Sequence, residues 1–150
     1  MSDNRDTTDG RVAREVLTHD SPFYPMPPGR MLLEARQCVA FLDTNPVSKG
    51  HALVVAKTVT PSLFDLPAEV QTQLWETVRR VREILIERFR PDGFNIGVND
   101  GAAAGQTVAH AHVHIIPRYL NDVPDPRGGI RWILPAKARY WQQFKLDVNL

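Results

Sequence analysis

The sequence GQTVAHAHVHIIPR, residues 105–118 of a 150-residue chain, carries three of the five histidines at alternate positions. Alternation of this kind is typical of a β-strand, and we expect one over 108–118. Because successive side chains of a strand point to opposite faces, His110, His112 and His114 should share one face. The other face is apolar and should pack beneath a helix. The stretch therefore predicts a half-buried strand with a surface lined by imidazoles.

The remaining elements of the fold are predicted from periodicity. Loose alternation indicates strands over 31–35 and 38–43, which we expect to form a hairpin, and a short apolar run indicates a buried strand over 51–57. Strict alternation in FNIGVND, residues 94–100, indicates a further strand. Apolar residues at intervals of three and four predict a long helix over 67–89 whose opposite face is charged. We expect an α+β fold, in which an antiparallel sheet of about five strands packs on one long helix plus short helices.

The two ends of the chain are less regular. Four prolines between positions 22 and 28 exclude a helix and predict an extended connector over the surface. Residues 1–10 are polar and are expected to be a flexible tail. Since 150 residues with 43% hydrophobic residues can bury one core, we interpret 1–150 as a single domain. Near the C-terminus, turn residues mix with large side chains that could fold over a ligand or a partner chain, among them Arg127, Arg131, Trp132 and Trp141.

Composition argues against several classes of protein. Eighteen Lys and Arg against seventeen Asp and Glu give a net charge of +1 without a basic block, so we expect no nucleic-acid partner. Cys38 is the only cysteine, which excludes an intrachain disulfide and a zinc site built from several thiolates. The sequence has neither a secretory pattern nor an apolar run near the roughly 18 residues of a membrane span. We expect no membrane partner and a cytoplasmic location.

The three alternating histidines could bind a metal or serve catalysis. At about 3.3 Å per residue, the outer two Cα atoms lie roughly 13 Å apart, too far for three rings to converge easily on one ion. Two could bind a metal, with Asp43, His51 and Asn99 nearby, but no spacing requires it, and we predict no metal site. A single such histidine is most simply a hydrogen-bonded core residue. Three on one face would be costly to bury for packing alone, which favours a functional surface.

Phosphoryl transfer is the chemistry that this surface fits best. A histidine whose Nδ1 hydrogen is held by a backbone carbonyl presents a bare Nε2 lone pair, which can attack phosphorus without a separate base. The loop 101–107 precedes the strand, and its glycines allow backbone amides to approach an anion, with the Thr107 hydroxyl as a further donor. Taken alone, the loop is also ordinary turn sequence. Its position beside the histidines makes it a candidate oxyanion cradle.

The run GQTVAHAHVHIIPR resembles the signature of the histidine triad (HIT) superfamily, in which histidines alternate with apolar residues after glycine-glutamine-serine or threonine. The resemblance extends roughly over 31–118 and includes FLDTNPVSKGHALVVAK, the long helix and the NDG ahead of the loop. It implies a HIT-like fold and a homodimer. It also implies a nucleotide hydrolase or transferase that cleaves at the α-phosphate through a covalent nucleotidyl-histidine.

The same resemblance implies roles for individual residues. His112, the middle histidine, would be the nucleophile, and His114 would contact the α-phosphate and stabilise charge there. His110 would support them, since its backbone carbonyl would orient the His112 ring. Six further positions would bind substrate: Asp43 at the ribose hydroxyls, His51 beside the triad, Asn99 near the phosphate or leaving group, and Gly105, Gln106 and Thr107 around the phosphate.

The branch of the superfamily is less sharply indicated. The phosphorylase branch has glutamine in place of the third histidine, so the presence of His114 favours hydrolysis. GQTV and IPR are similar to the fragile-histidine-triad type of dinucleoside polyphosphate hydrolase, which we predict; NDG and Asp43 are similar to adenosine 5'-phosphoramidate hydrolases. A nucleotide-binding regulator without catalysis is the third possibility. We expect no protein-bound cofactor and only Mg²⁺ that arrives with the substrate phosphates, which Arg127 and Arg131 could also reach.

Overall fold

The computed structural model of the chain describes residues 17–26 and 28–145. Five strands form one antiparallel sheet in the order β1-β2-β3-β5-β4. The long helix α1, Ala68–Phe89, packs on one face of the sheet, so the expected α+β fold is confirmed. The predicted tail at 1–10 lies outside the described residues. The strands are β1 (Met31–Glu34), β2 (Cys38–Leu42), β3 (Ala52–Ala56), β4 (Gly93–Gly97) and β5 (His112–Arg118).

The main core lies between the sheet and α1. Leu74, Val81 and Leu85 of the helix are fully buried, as are Val54 of β3 and Val113 of β5. Burying an aliphatic side chain of this size contributes roughly 1.5–3 kcal/mol, so this layer holds the helix to the sheet. The helix begins one residue later than predicted, since Pro67 takes an extended conformation before it. It ends at Phe89, as predicted, and the next residue, Arg90, has a left-handed φ of 50°.

The histidine strand is shorter than predicted. We expected a strand from residue 108, but β5 begins at His112, which pairs with Val55 of β3. Val55 is the second-last residue of β3, which ends at Ala56. The residues before β5 therefore have no strand to pair with. Instead, the amide of Ala111 donates to the Thr60 carbonyl at 2.7 Å. His110 therefore lies just before the strand rather than in it.

The face of the sheet opposite α1 carries a second, smaller core. Phe41, Leu53 and Val55 are buried there, with Leu17 over them and Phe23 packed against the group. The described part of the proline-rich connector is free of helix, as expected. However, it is not only a surface connector, because its first residue, Ser21, and Leu17 ahead of it are each 3% exposed.

The C-terminal segment forms short helices over the β4 edge of the sheet. These are Gly129–Ile133, α2 (Pro135–Ala138) and Tyr140–Lys145. Ile130 reaches Gly97 of β4, and Gly129 approaches the Asn95 amide. Across the described ranges, no helix combines the length and apolar composition needed to cross a bilayer.

Candidate active site

His110 is buried and its tautomer follows from its partners. The ring is fully buried, and Nε2 lies 2.8 Å from the Ala56 carbonyl oxygen. A carbonyl only accepts, so Nε2 carries the hydrogen and Nδ1 accepts from the Ser21 hydroxyl at 2.9 Å. Burial lowers the pKa of His110 below its ordinary value of 6.5. The ring is thus a neutral group with both nitrogens bonded.

His112 is held by the backbone of His110. Its Nδ1 lies 2.7 Å from the His110 carbonyl oxygen, which places the hydrogen of the neutral ring on Nδ1. The Nε2 atom of the neutral ring then carries the lone pair. The Phe23 ring packs edge-on against the imidazole at a centroid distance of 5.3 Å and limits its rotation. The arrangement presents Nε2 as a nucleophile or a metal ligand.

His114 is oriented from the opposite side by His51. The Val47 amide donates to His51 Nδ1 at 3.3 Å, so the neutral His51 ring carries its hydrogen on Nε2. That atom lies 3.0 Å from Nδ1 of His114, which accepts and leaves a donor at His114 Nε2. Burial, followed by the neighbouring His112 and His51 rings, lowers the pKa of His114 to about 4. His114 is therefore a neutral hydrogen-bond donor at pH 7.

Asp43 follows β2 and lies beside His51. Its Oδ2 is 3.5 Å from His51 Nδ1, and its Oδ1 accepts from the Asn45 amide at 2.9 Å. The Arg30 guanidinium donates to the Asp43 carbonyl at 2.7 Å and fixes the backbone there. Ligand atoms of Asp43, His51 and His114 lie within 4.8 Å of one another, so these three could hold a metal ion. The absence of a metal site stays a prediction.

The loop before β5 is held together by Gln106. Its Oε1 accepts from the Gly101 amide at 2.8 Å, and its Nε2 donates to the carbonyls of Pro61 at 2.7 Å and Val108 at 3.1 Å. Gly105 has a φ of +87°, where a side chain is strained. Both ends of the Gln106 amide are thus engaged within the protein. The amides of Gly105 and Gln106 are also engaged, since they donate to the carbonyls of Ala102 at 3.0 Å and Gly101 at 3.2 Å. The exposed Thr107 remains as the predicted loop residue with a side-chain donor for a ligand.

An open cleft of about 600 Å³ adjoins the histidines on the β4 side. Of the nine residues predicted from the sequence, His51, Asn99 and His114 line it, while the other six lie outside its lining. Its far wall is the C-terminal segment, through Ile130, Ile133 and Leu134.

Two arginines that we expected near distal phosphates have other partners. Arg127 bonds Asp125 at 2.9 Å and lies over Trp141 at 4.6 Å. Arg131 donates to the Lys137 carbonyl at 2.9 Å and lies over the Tyr140 ring. Neither lines the cleft. Both guanidiniums stabilise the C-terminal segment.

The sequence analysis missed Ser21, Phe23, Arg30 and Val47. Ser21 bonds His110 across 89 positions of sequence, and no local pattern marks such a pair. Val47 acts through its backbone amide, which any residue except proline would supply.

The geometry agrees with comparisons to known proteins. The HIT domain family matches residues 26–121, more than half of the chain. A crystal structure of a HIT family protein from Bacillus anthracis superposes with a TM-score of 0.58 at 39% identity, covering 60% of this chain and 64% of that one.

Three curated relatives carry enzyme names. The chain is 37% identical to adenylylsulfatase HINT3 of Arabidopsis thaliana over 118 residues, 76% of this chain and 60% of that protein. It is 43% identical over 83 residues to the asymmetrical bis(5'-nucleosyl)-tetraphosphatase of Schizosaccharomyces pombe, 55% of this chain and 46% of that protein. It is also 43% identical over 79 residues to the bis(5'-adenosyl)-triphosphatase of Dictyostelium discoideum, 53% of each chain. The chain thus spans less than two thirds of these relatives, and the family match shows that it belongs to the HIT domain family.

Proposed function

We propose that the chain is a nucleotide hydrolase that cleaves dinucleoside polyphosphates at the α-phosphate through a covalent nucleotidyl-His112. The observation that carries the proposal is the 2.7 Å contact between Nδ1 of His112 and the His110 carbonyl. In the neutral ring this contact leaves the Nε2 lone pair free for attack, so the first step needs no separate base.

In the first step, Nε2 of His112 attacks the α-phosphorus and forms an N–P bond. The bond from phosphorus to the bridging oxygen breaks, and that oxygen leaves with the electron pair as part of the second nucleotide. The Nδ1 hydrogen stays on the ring, whose positive charge is stabilised by the His110 carbonyl. Water then attacks phosphorus, the N–P bond breaks, and the nucleoside monophosphate leaves with one proton released.

Two groups would stabilise the charge that develops on the phosphoryl oxygens. His114 offers a neutral Nε2–H beside His112, with the two ring centroids 4.9 Å apart. The Thr107 hydroxyl would contact the same phosphate from the loop. Removing one preorganised donor from the oxyanion hole of an acyl-transfer enzyme costs about 2.7–4 kcal/mol. Asn99 would lie on the leaving-group side, since it lines the cleft.

The choice of substrate is supported by the names of two relatives at 43% identity, a tetraphosphatase and a triphosphatase. An adenosine 5'-phosphoramidate or adenylylsulfate hydrolase is the second candidate, because the adenylylsulfatase aligns with a larger share of this chain, 76%. A regulator that binds nucleotides without turnover is the third. All three would hold the nucleoside through Asp43 and its neighbourhood.

The proposal includes a homodimer, a cytoplasmic location and no protein-bound cofactor, with Mg²⁺ entering on the substrate phosphates. Elemental analysis of the purified protein tests the metal prediction, because stoichiometric zinc would place an ion at the cluster of Asp43, His51 and His114. Sedimentation tests the dimer. Turnover that survives chelation when the substrate is a phosphoramidate would support the absence of a metal requirement.

The decisive experiment traps the intermediate. Wild-type protein mixed with diadenosine triphosphate labelled at the α-phosphorus and quenched within milliseconds should yield acid-labile label on His112. His112→Gln should form no adduct and lose at least about 10³-fold in kcat, since the covalent route is removed. His19→Gln, which removes an exposed imidazole outside the site, is the control. Near-normal turnover by His112→Gln would refute the mechanism. Wild-type protein that binds the dinucleotide without turning it over would instead support the nucleotide-binding regulator.

A further inference from the structure

The wall of the cleft beside His114 lies beyond the HIT domain match. That match ends at residue 121, whereas Ile130, Ile133 and Leu134 form the wall. These side chains are 54%, 76% and 64% exposed, so core packing does not explain them. Clustered exposed apolar side chains usually mark a binding surface. The wall is thus a feature of this chain that needs a ligand to account for it.

The position of the cleft relates it to the leaving group. On the site face, the elements follow the order β2, β3, β5 and β4, with Asp43 after β2 and the cleft on the β4 side. His114 lines the cleft and contacts the His112 ring at 4.9 Å between centroids. A nucleotide held at Asp43 and attacked by His112 therefore extends its leaving group past His114 toward the apolar wall.

The chemistry of the lining selects the kind of group that fits. Among the described residues that line the cleft, none is Lys, Arg, Asp or Glu. Nδ1 of His51 accepts from the Val47 amide and Nδ1 of His114 accepts from His51, so each ring has one unprotonated nitrogen and carries no charge. The amides of Asn95 and Asn99 are the other polar side chains. A lining of this kind does not compensate the desolvation of a sulfate or a terminal pyrophosphate, but it suits an uncharged group with hydrogen-bonding edges.

We propose that the cleft is a leaving-group subsite for the second nucleoside of a dinucleoside polyphosphate, with Ile130, Ile133 and Leu134 as its specificity-determining wall. The proposal rests on the hydrolase function above, which supplies the leaving group. The volume of about 600 Å³ lies within the range of about 300–1,000 Å³ of small-molecule sites, enough for a base and ribose. The wall would favour dinucleoside substrates over substrates that release a small amine or anion.

The test compares two substrates that differ in the leaving group alone. Ile133→Ser combined with Leu134→Ser removes the two most exposed side chains of the wall. We expect kcat/KM for diadenosine triphosphate to fall about 10- to 100-fold, while that for adenosine 5'-phosphoramidate, which releases ammonia, stays within about twofold. Leu120→Ser is the matched control, because Leu120 is 78% exposed and lies outside the cleft. It should change neither value.

Several outcomes would overturn the subsite. An equal loss of kcat/KM on both substrates, or no loss on either, would show that the wall does not select between substrates. Dissociation of a dimer by the double variant in sedimentation, with both activities lost, would make the wall a subunit interface. A wild-type protein that hydrolyses the phosphoramidate but not the dinucleotide would also contradict the proposal, although it would leave the hydrolase mechanism intact.

A binding measurement separates the subsite from the proposed mechanism. Wild-type protein should bind a methylene-bridged diadenosine triphosphate at least about fivefold more tightly than the methylene analogue of ADP, and the double variant should lose this advantage. Equal affinities in the wild type would refute the subsite whatever the turnover. The expected advantage without any nucleotidyl-His112 would refute the mechanism and retain the subsite.

Discussion

The hydroxyl oxygen of Ser21 lies 2.9 Å from Nδ1 of His110, although 89 positions of sequence separate the two residues. The same oxygen accepts from the Phe23 amide at 3.2 Å. Ser21 thereby anchors a buried ring whose tautomer is set by the Ala56 carbonyl and whose own backbone carbonyl orients His112. The connector before β1 is therefore part of the support of the proposed nucleophile, and Ser21 is a positioning residue.

Ser21→Ala should lower kcat by about 5- to 30-fold with little change in KM, because the His110 carbonyl loses its anchor while the substrate contacts stay. Ser21→Thr keeps a hydroxyl and should restore most of the rate. Ser62→Ala is the matched control, since Ser62 also accepts from the amide two residues on, at 3.2 Å, but lies outside the site. Equal effects of both alanine variants on unfolding and none on kcat would show that Ser21 has only a structural role.

The position directly before His51 requires glycine, because both its backbone conformation and the space around it exclude a side chain. Its φ is +86°, and a Cβ there would lie 2.7 Å from the Phe89 side chain. Gly50→Ala should lower the free energy of unfolding by about 2–5 kcal/mol, the sum of about 1–2 for the left-handed backbone and about 1–3 for overpacking. Gly29→Ala isolates the backbone contribution, because Gly29 has a φ of +76° with open space around it. Urea unfolding of both variants measures the difference, and equal losses would refute the contact with Phe89.

The parts of the fold that were predicted from the sequence are those set by local periodicity. The bounds of β1, β2, β3 and α1 agree with the expectations to within about a residue, because α1 has a clear 3.6-residue pattern and the strands are short apolar segments separated by turn residues. The start of β5 was wrong for a nonlocal reason. Alternation continues back to residue 108, but its partner β3 ends at Ala56.

The candidate site likewise has features that follow from local sequence and features that depend on contacts between distant segments. The facing of His112 and His114 follows from alternation along β5. In contrast, the bond from Ser21 to His110 and the contact of Ile130 with Gly97 join segments far apart in sequence. Gln106 shows a third limit: its residue type indicates hydrogen bonding, but the sequence does not reveal that its side chain bonds the loop rather than projecting from it.

The neutral histidines predict a stability that falls in mild acid. Burial lowers the pKa of His51, His110 and His114 below 6.5 in the folded state, that of His114 to about 4. The unfolded chain then binds more protons than the folded one below pH 6.5, so the free energy of unfolding decreases as the pH falls from 6.5 toward 4 and is flat above 7. Each proton contributes a slope of up to about 1.4 kcal/mol per pH unit.

Urea midpoints between pH 7 and pH 5 measure this slope. His114→Gln should reduce it by up to one proton, because the variant has no imidazole to protonate there. His19→Gln, which removes an exposed imidazole outside the site, is the matched control. The range from pH 7 to pH 5 lies well above the pKa of Asp122 in the folded protein, which the hydrogen bond from Arg118 lowers to about 2. An identical slope in wild type and His114→Gln would contradict a depressed pKa for His114.

Gln106 should act on phosphate binding through the shape of the loop. Gln106→Ala removes three hydrogen bonds, from the Gly101 amide and to the carbonyls of Pro61 and Val108, each worth about 0.5–1.5 kcal/mol. We expect the Kd for AMP, measured by calorimetry, to rise about 5- to 30-fold as Thr107 at the end of the loop loses its position. Gln71→Ala is the control, because Gln71 also donates to two carbonyls, those of Phe64 and Leu66, away from the site. If both variants lose similar stability but bind AMP as tightly as the wild type, the loop does not form the phosphate cradle.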